Sequence, residues 1–355
     1  MMRIFIGSCL VVLLASPLVS PSDAPPPFLL MWGSAGSEIG QFEGNKPRAL
    51  DLDRYGNVYI VDRRLTPTNI NRVQVFDSEG RFVRHFLEAY SDGGIEGITL
   101  DNQGNIFLIN SWCCRVEKYD NSGNFLRMWG WGVQDGAHEF QICTSGCQCG
   151  GVGTGDGQLY WPQGAGTDAD GNVYVADREN ERVVKYDNQG NFLRMWGWGV
   201  RNGAAEFQIC TSGCEGGITG SGNGQFSLPT EIAVLGDTVY VSDWSNNRVQ
   251  LFSRNGTFKK KIGVSQQAAG VDVSPSGDIY VVVYFADEIV QFDNTGSEIA
   301  RWGATGSGIG QFDYPYGVAV SPNGDVFITD SDNHRVQKFG PALDFFIGEP
   351  ELVPR

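Results

Sequence analysis

Histidine is nearly missing from this chain, with three residues in 355. A catalytic zinc needs three converging donors, so such chemistry would have to draw on all three or on cysteine. Positive charge is also scarce: 26 basic residues stand against 41 acidic ones, and no basic run exceeds Lys259-Lys260-Lys261. The net charge of −15 repels phosphate backbones, which excludes nucleic acid as the expected partner. Beyond Ile4–Leu14 no apolar run approaches the length of a membrane span. What abounds is glycine, 48 residues, beside a low charged fraction of 19%, a balance that favours turns and strands over helices.

The first residues, MMRIFIGSCLVVLLASPLVS, join a basic start, a short apolar run and small residues. This pattern predicts a signal peptide over 1–22, a proline-rich spacer over 23–27, and a secreted or periplasmic protein. Cys9 follows too short an apolar core for lipoprotein anchoring to be expected. Residues 349–355 read as a C-terminal tail.

Six units recur along the chain. LDLDRYGNVYIVD, ITLDNQGNIFLIN, GTDADGNVYVAD, IAVLGDTVYVSD, VDVSPSGDIYVVV and VAVSPNGDVFITD each read as strand, Gly/Asn/Asp turn, strand. A third strand follows (RVQVFD, RVEKYD, RVVKYD and their counterparts), then a turn and a fourth. Six four-stranded units predict an all-β fold, a six-bladed β-propeller of antiparallel blades over 28–348. Two segments compete to close the ring, PFLLMWG at 27–33 and LDFFIG at 343–348.

The last unit, GQFDYPYGVAVSPNGDVFITDSDNHRVQKF, resembles the NHL repeat nearly throughout. Units three and four match well, while units two and five lack the leading GQF. The resemblance implies a propeller, but the family includes protein binders, RNA binders and lyases. One NHL-like enzyme, the peptidyl-hydroxyglycine amidating lyase, places zinc-binding histidines near the start of the first strand of three blades. The matching positions here are Arg48, Glu96, Gln163, Thr230, Ala269 and Tyr316. His85, His138 and His334 fall elsewhere, so neither metal nor cofactor is expected.

Asp62, Asp177, Asp243 and Asp330 end the second strand of four units, and Arg72, Arg182, Arg248 and Arg335 begin the third. Unit two has Asn110 and Arg115; unit five has Val283 and Glu288. Loss of both members in unit five predicts that the two are partners, a carboxylate–guanidinium pair bracing each loop bidentately. A ring of carboxylates binding a cation is the rival reading. Asp168-Ala169-Asp170-Gly171-Asn172 resembles the start of a calcium loop but lies on a hairpin turn, where turn chemistry explains it.

EFQICTSGC occurs at 139–147 and at 206–214. It lies in two linkers that each run 27 steps from glycine to glycine where the plain linker takes seven, and only four of 29 positions differ between 119–147 and 186–214. A blade was duplicated together with its insert. Disulfides Cys143–Cys147 and Cys210–Cys214 are expected to staple the two loops, a gain of about 2 kcal/mol each in the chain-entropy model. The rival is a metal held by these four thiolates. Cys149 should pair with Cys113 or Cys114, leaving the other free. Loops after second and fourth strands open on one face, and that face gathers Trp112, Trp131, Phe140, Trp198, Phe207 and Trp244. These aromatics either pack the inserts or form a recognition surface. The reading favours a binding module for a protein, peptide or glycan, of unspecified oligomeric state, over a metal-dependent lyase or hydrolase.

Overall fold

The computed structural model describes residues 25–42, 47–62, 71–87 and 94–341. They form six antiparallel sheets, four of four strands and two of five. Blade one is Pro47–Leu52, Val58–Asp62, Arg72–Phe76 and Phe82–Leu87. Blade two is Ile95–Leu100, Ile106–Asn110, Arg115–Tyr119 and Phe125–Trp131, and blade three is Pro162–Thr167, Val173–Asp177, Arg182–Tyr186 and Phe192–Trp198. Blade four is Pro229–Leu235, Thr238–Asp243, Arg248–Ser253 and Phe258–Gly263. Blade five is Ala268–Val273, Ile279–Val283, Glu288–Phe292 and Glu298–Trp302. Blade six has Pro315–Val320, Val326–Asp330 and Arg335–Phe339, and its outer strand is Phe28–Trp32. The ring is therefore closed from the start of the chain, by Met31 and Trp32 against Gln337 and Val336; LDFFIG lies outside the described residues.

The first strand of each blade packs against the first strands of both neighbours, so these six enclose the axis. They approach closely because a glycine recurs at the third position. A Cβ on Gly97 would stand 2.3 Å from the Gln163 carbonyl oxygen, on Gly164 2.5 Å from that of Thr230, and on Gly317 2.6 Å from that of Arg48. Outward, the core lies between blades. Trp129 and Trp196 are fully buried on the outer strands of blades two and three. Their indoles lie over Gly190 and Gly256, turn glycines of the next blade, where any side chain would collide with the ring. Trp32 covers Gly80 in the same way, so the closing strand uses the same contact as the internal blades.

The inserts differ from the expected loops. Phe140–Cys143 and Phe207–Cys210 pair with the outer strands of blades two and three as fifth strands, with Phe140 opposite Trp131 and Phe207 opposite Trp198. An outer strand leaves its edge hydrogen-bonding groups unpaired, and a chain returning along that edge satisfies them. Among the described residues no helix is long and apolar enough to cross a membrane.

Candidate functional site

The repeated acidic and basic residues meet in pairs. Nε of Arg72, Arg182, Arg248 and Arg335 lies 2.6, 2.7, 2.7 and 2.7 Å from the carboxylates of Asp62, Asp177, Asp243 and Asp330. Each guanidinium also donates to carbonyls of the linker that precedes its blade: Arg72 to Gln41, Arg182 to Gln158, Arg248 to Gln225 and Arg335 to Gln311. These acceptors belong to the Gly-Gln step of the repeat. The link explains why the units without that step also lack the Asp–Arg pair. In blade two, Arg115 pairs instead with Glu117 at 2.7 Å, on its own strand. In blade five, Glu288 faces Arg301 at 2.6 Å. All these carboxylates carry a local guanidinium.

The carboxylate of Asp168 is likewise taken by its own chain. It accepts from the Asp170 and Asn172 N–H groups at 3.0 Å each and from the Tyr174 hydroxyl at 2.8 Å. That is a turn stabilised by its aspartate.

Three disulfides form: Cys113–Cys149, Cys143–Cys147 and Cys210–Cys214. Cys114 is free and fully buried, and burial pushes its thiol up to about 11. It occupies a left-handed position, φ 45°, directly before the third strand. Glu181 and Asp287 hold the same position in blades three and five, and their carboxylates accept the Leu228 and Tyr314 N–H of the next blade at 2.7 and 2.8 Å. The unpaired cysteine thus stands where other blades brace their neighbour.

The six aromatics separate into two groups. Phe140 stacks on Tyr186, and Phe207 on Phe252, at centroid distances of 6.0 and 6.1 Å, which fixes each insert to the following blade. Trp131 meets His138 edge-on, and the Trp198 indole N–H donates to the Asn223 carbonyl at 2.9 Å. These four serve the inserts. Trp112 and Trp244 instead line a cavity of about 460 Å³ at the axial mouth on the face where second strands end. Trp161 joins them, and both Trp112 and Trp161 are 47% exposed. Trp112 rests on Gly94, where a Cβ would come within 2.5 Å of its indole, and adjoins the Cys113–Cys149 bridge that ties its loop to the insert.

Four sequence positions, filled in different blades, build this mouth, and Trp112 holds the one directly after Ser111. The second residue of the inner strand supplies Arg48, Glu96, Gln163, Thr230 and Tyr316. The residue after the second strand supplies Ser111, Arg178, Trp244 and Tyr284, the last three each opening a single 3-10 turn. The residue before the inner strand supplies Trp161, held at φ 49°. Arg48 lies 3.3 Å from Glu96 and its guanidinium stacks 4.0 Å from the Tyr316 ring centroid. Trp244 and Tyr284 rings are 5.1 Å apart. Trp161, Arg178 and Tyr284 escaped the sequence reading, although Arg178 and Tyr284 stand in the same register as Trp244, which it named.

The positions that would carry zinc ligands therefore hold a guanidinium, a carboxylate, an amide and hydroxyls. Among the described residues no group of three histidine, cysteine or acidic side chains is placed to hold a metal ion. His334 contacts the Phe42 carbonyl at 3.1 Å, His138 sits beside Trp131, and His85 lies on the outer strand of blade one. This donor set does not fit a zinc centre.

The opposite end of the axis differs. A second cavity, about 360 Å³, is lined there by Asp51, Glu231 and Asp272. Glu231 replaces the inner-strand glycine in blade four and packs over Gly164. Burial pushes Asp51, Asp272 and Glu231 up to about 6, 7 and 8, with repulsion from Asp53 adding for Asp51, from Asp51 for Asp272, and from Asp51 and Asp272 for Glu231.

The NHL repeat family model matches residues 159–186 and 312–339, within blades three and six. Protein brain tumor of Drosophila melanogaster is 27% identical over 164 residues, which is 45% of this chain and 14% of that protein. Peptidyl-glycine alpha-amidating monooxygenase B of Xenopus laevis is 24% identical over 188 residues, 48% of this chain and 19% of that protein. The chain thus spans less than a fifth of the length of either curated relative. A solved streptogramin B lyase superposes with a TM-score of 0.54 at 12% identity, covering 83% of this chain and 93% of that one, a likeness of fold alone. With NHL repeats matched in blades three and six and the same inner-to-outer strand order in the other four blades, the chain is a six-bladed β-propeller that contains NHL repeats.

Proposed function

We propose that this propeller is a binding module, and that the tryptophan-bearing mouth of its axis receives a protein, peptide or glycan ligand. The observation that carries the reading is the placement of Trp112, Trp161 and Trp244 around one cavity of about 460 Å³. Large aromatics left open to solvent on rigid supports supply contact area at little entropy cost. The ring provides that rigidity, and a disulfide, a left-handed residue and a 3-10 turn hold the three indoles. The inserts support the site from outside by widening blades two and three. Disulfides of this number fit an oxidising compartment, and we place the protein's work outside the cytoplasm. The acidic balance argues against a nucleic-acid ligand.

Photo-crosslinking in the native host tests this. A benzophenone side chain at position 112 or 161 should trap a partner, whereas one at Tyr55, exposed on the opposite face, should not. Adducts at position 55 with none at 112 or 161 would overturn the reading.

A further inference from the structure

We infer that the mouth cavity selects an anionic head group joined to a flat apolar body, an organic carboxylate or similar oxyanion carried on an aromatic or planar group. This rests on the binding role proposed above and names the chemistry of its ligand.

Two guanidiniums line the cavity, Arg48 from the inner strand of blade one and Arg178 from the 3-10 turn of blade three. Each has a lateral carboxylate, Glu96 at 3.3 Å and Glu179 at 2.9 Å. These pairs fix the side chains without using all their donors: Arg178 Nε is buried and has no hydrogen-bond partner. The second, independent observation is Tyr316. The residue is 3% exposed, it lines the cavity, and its hydroxyl lies by the Arg48 guanidinium with no acceptor of its own. Arg48 stacks on the Tyr316 ring face, a position that leaves the hydroxyl to other acceptors. A buried donor without an acceptor carries a desolvation penalty, so an acceptor placed here gains more than it would at the surface.

The guanidiniums of blades one and three thus line one space, each held beside its own carboxylate. A carboxylate there makes charge-assisted bonds that a neutral amide cannot match. The tryptophans provide planar walls for the ligand's apolar part. Aromatic rings also attract cations, but two guanidiniums in the same cavity repel them.

The test is a titration of the whole chain with phenylacetate, phenylacetamide and benzyltrimethylammonium, followed by calorimetry and intrinsic fluorescence. Phenylacetate should bind about tenfold more tightly than the amide, with the cation weakest. Y316F removes only this hydroxyl and should leave the Tm at or above the wild-type value. It and R178Q should each weaken phenylacetate while leaving the amide unchanged, a split that a purely structural role would not produce. An acetylated, amidated Trp-Glu dipeptide distinguishes the source: tighter binding than phenylacetate assigns the anion to a protein side chain, weaker binding to a free carboxylate. Amide or cation binding as tight as phenylacetate, and lost in W112A, would overturn the anion selectivity while leaving the mouth as a binding site. Saturable binding of all three probes that W112A and W161A leave unchanged would overturn both.

Discussion

Arg115 is ion-paired to Glu117, two residues along its own strand, while the position across from it holds Asn110. Blade one shows the reverse arrangement: its aspartate, Asp62, faces Arg72, and Gln74 stands where blade two has Glu117. Acid and amide have exchanged places, and the buried guanidinium keeps one carboxylate in either case. The Tyr119 hydroxyl, 2.5 Å from Glu117, occupies the remaining oxygen.

This exchange predicts a rescue. Glu117→Gln leaves the fully buried Arg115 without a carboxylate and should destabilise by about 3–5 kcal/mol. Adding Asn110→Asp should restore most of the loss, measured by urea melts of single and double variants. A double variant no better than Glu117→Gln would show that the two positions are not interchangeable.

The Asp177–Arg182 pair should behave as one unit. Arg182 holds the linkers on both sides of blade three, donating to Gln158 and Glu215 at 2.7 Å each. Asp177→Ala and Arg182→Ala should each destabilise by several kcal/mol, and the double variant should lose clearly less than their sum. Strict additivity would remove the coupling.

The carboxylates at the far end of the axis set a pH dependence. Asp51, Asp272 and Glu231 are raised from 3.8, 3.8 and 4.5 to about 6, 7 and 8. The folded state therefore binds protons more tightly than the unfolded chain. Their stabilising contribution is complete below about pH 4 and is lost as pH rises towards 8. Tm should fall across that window, and Glu231→Gln should flatten the upper part of the fall and raise Tm at pH 8. A Tm that rises from pH 5 to 8 in the wild type would contradict this.

Most of the fold was legible in the sequence because turn residues and alternating strands repeat with the blade. The carboxylate–guanidinium partnership showed itself through its joint loss in unit five. The ring closure was not legible, since Phe28–Trp32 and 343–348 have the same strand pattern and only pairing with Arg335–Phe339 separates them. The fifth strands were missed because FQIC is short and looks like the start of a loop. The site was half legible. Trp112 and Trp244 stood out by type, but Arg178, Tyr284 and Trp161 gain meaning only when six inner strands bring one register position from each blade to a common mouth.

Peptide mapping without reduction should find Cys113 joined to Cys149, Cys143 to Cys147 and Cys210 to Cys214. Cys114 should resist alkylation in the native protein and react only on unfolding, as its burial and raised thiol require. Rapid native labelling of Cys114, or four free thiols in the CTSGC loops, would contradict the structure.

The central claim is that the tryptophan-bearing mouth is where this propeller binds. Soaking crystals with a chemically diverse set of small fragments tests it most directly, because every cavity competes in one experiment. The account predicts that bound fragments concentrate between Trp112, Trp161 and Trp244, with acidic fragments against Arg178 and Tyr316. Fragments gathering instead at the carboxylate-lined cavity of Asp51, Glu231 and Asp272, with the tryptophan mouth bare, would contradict it.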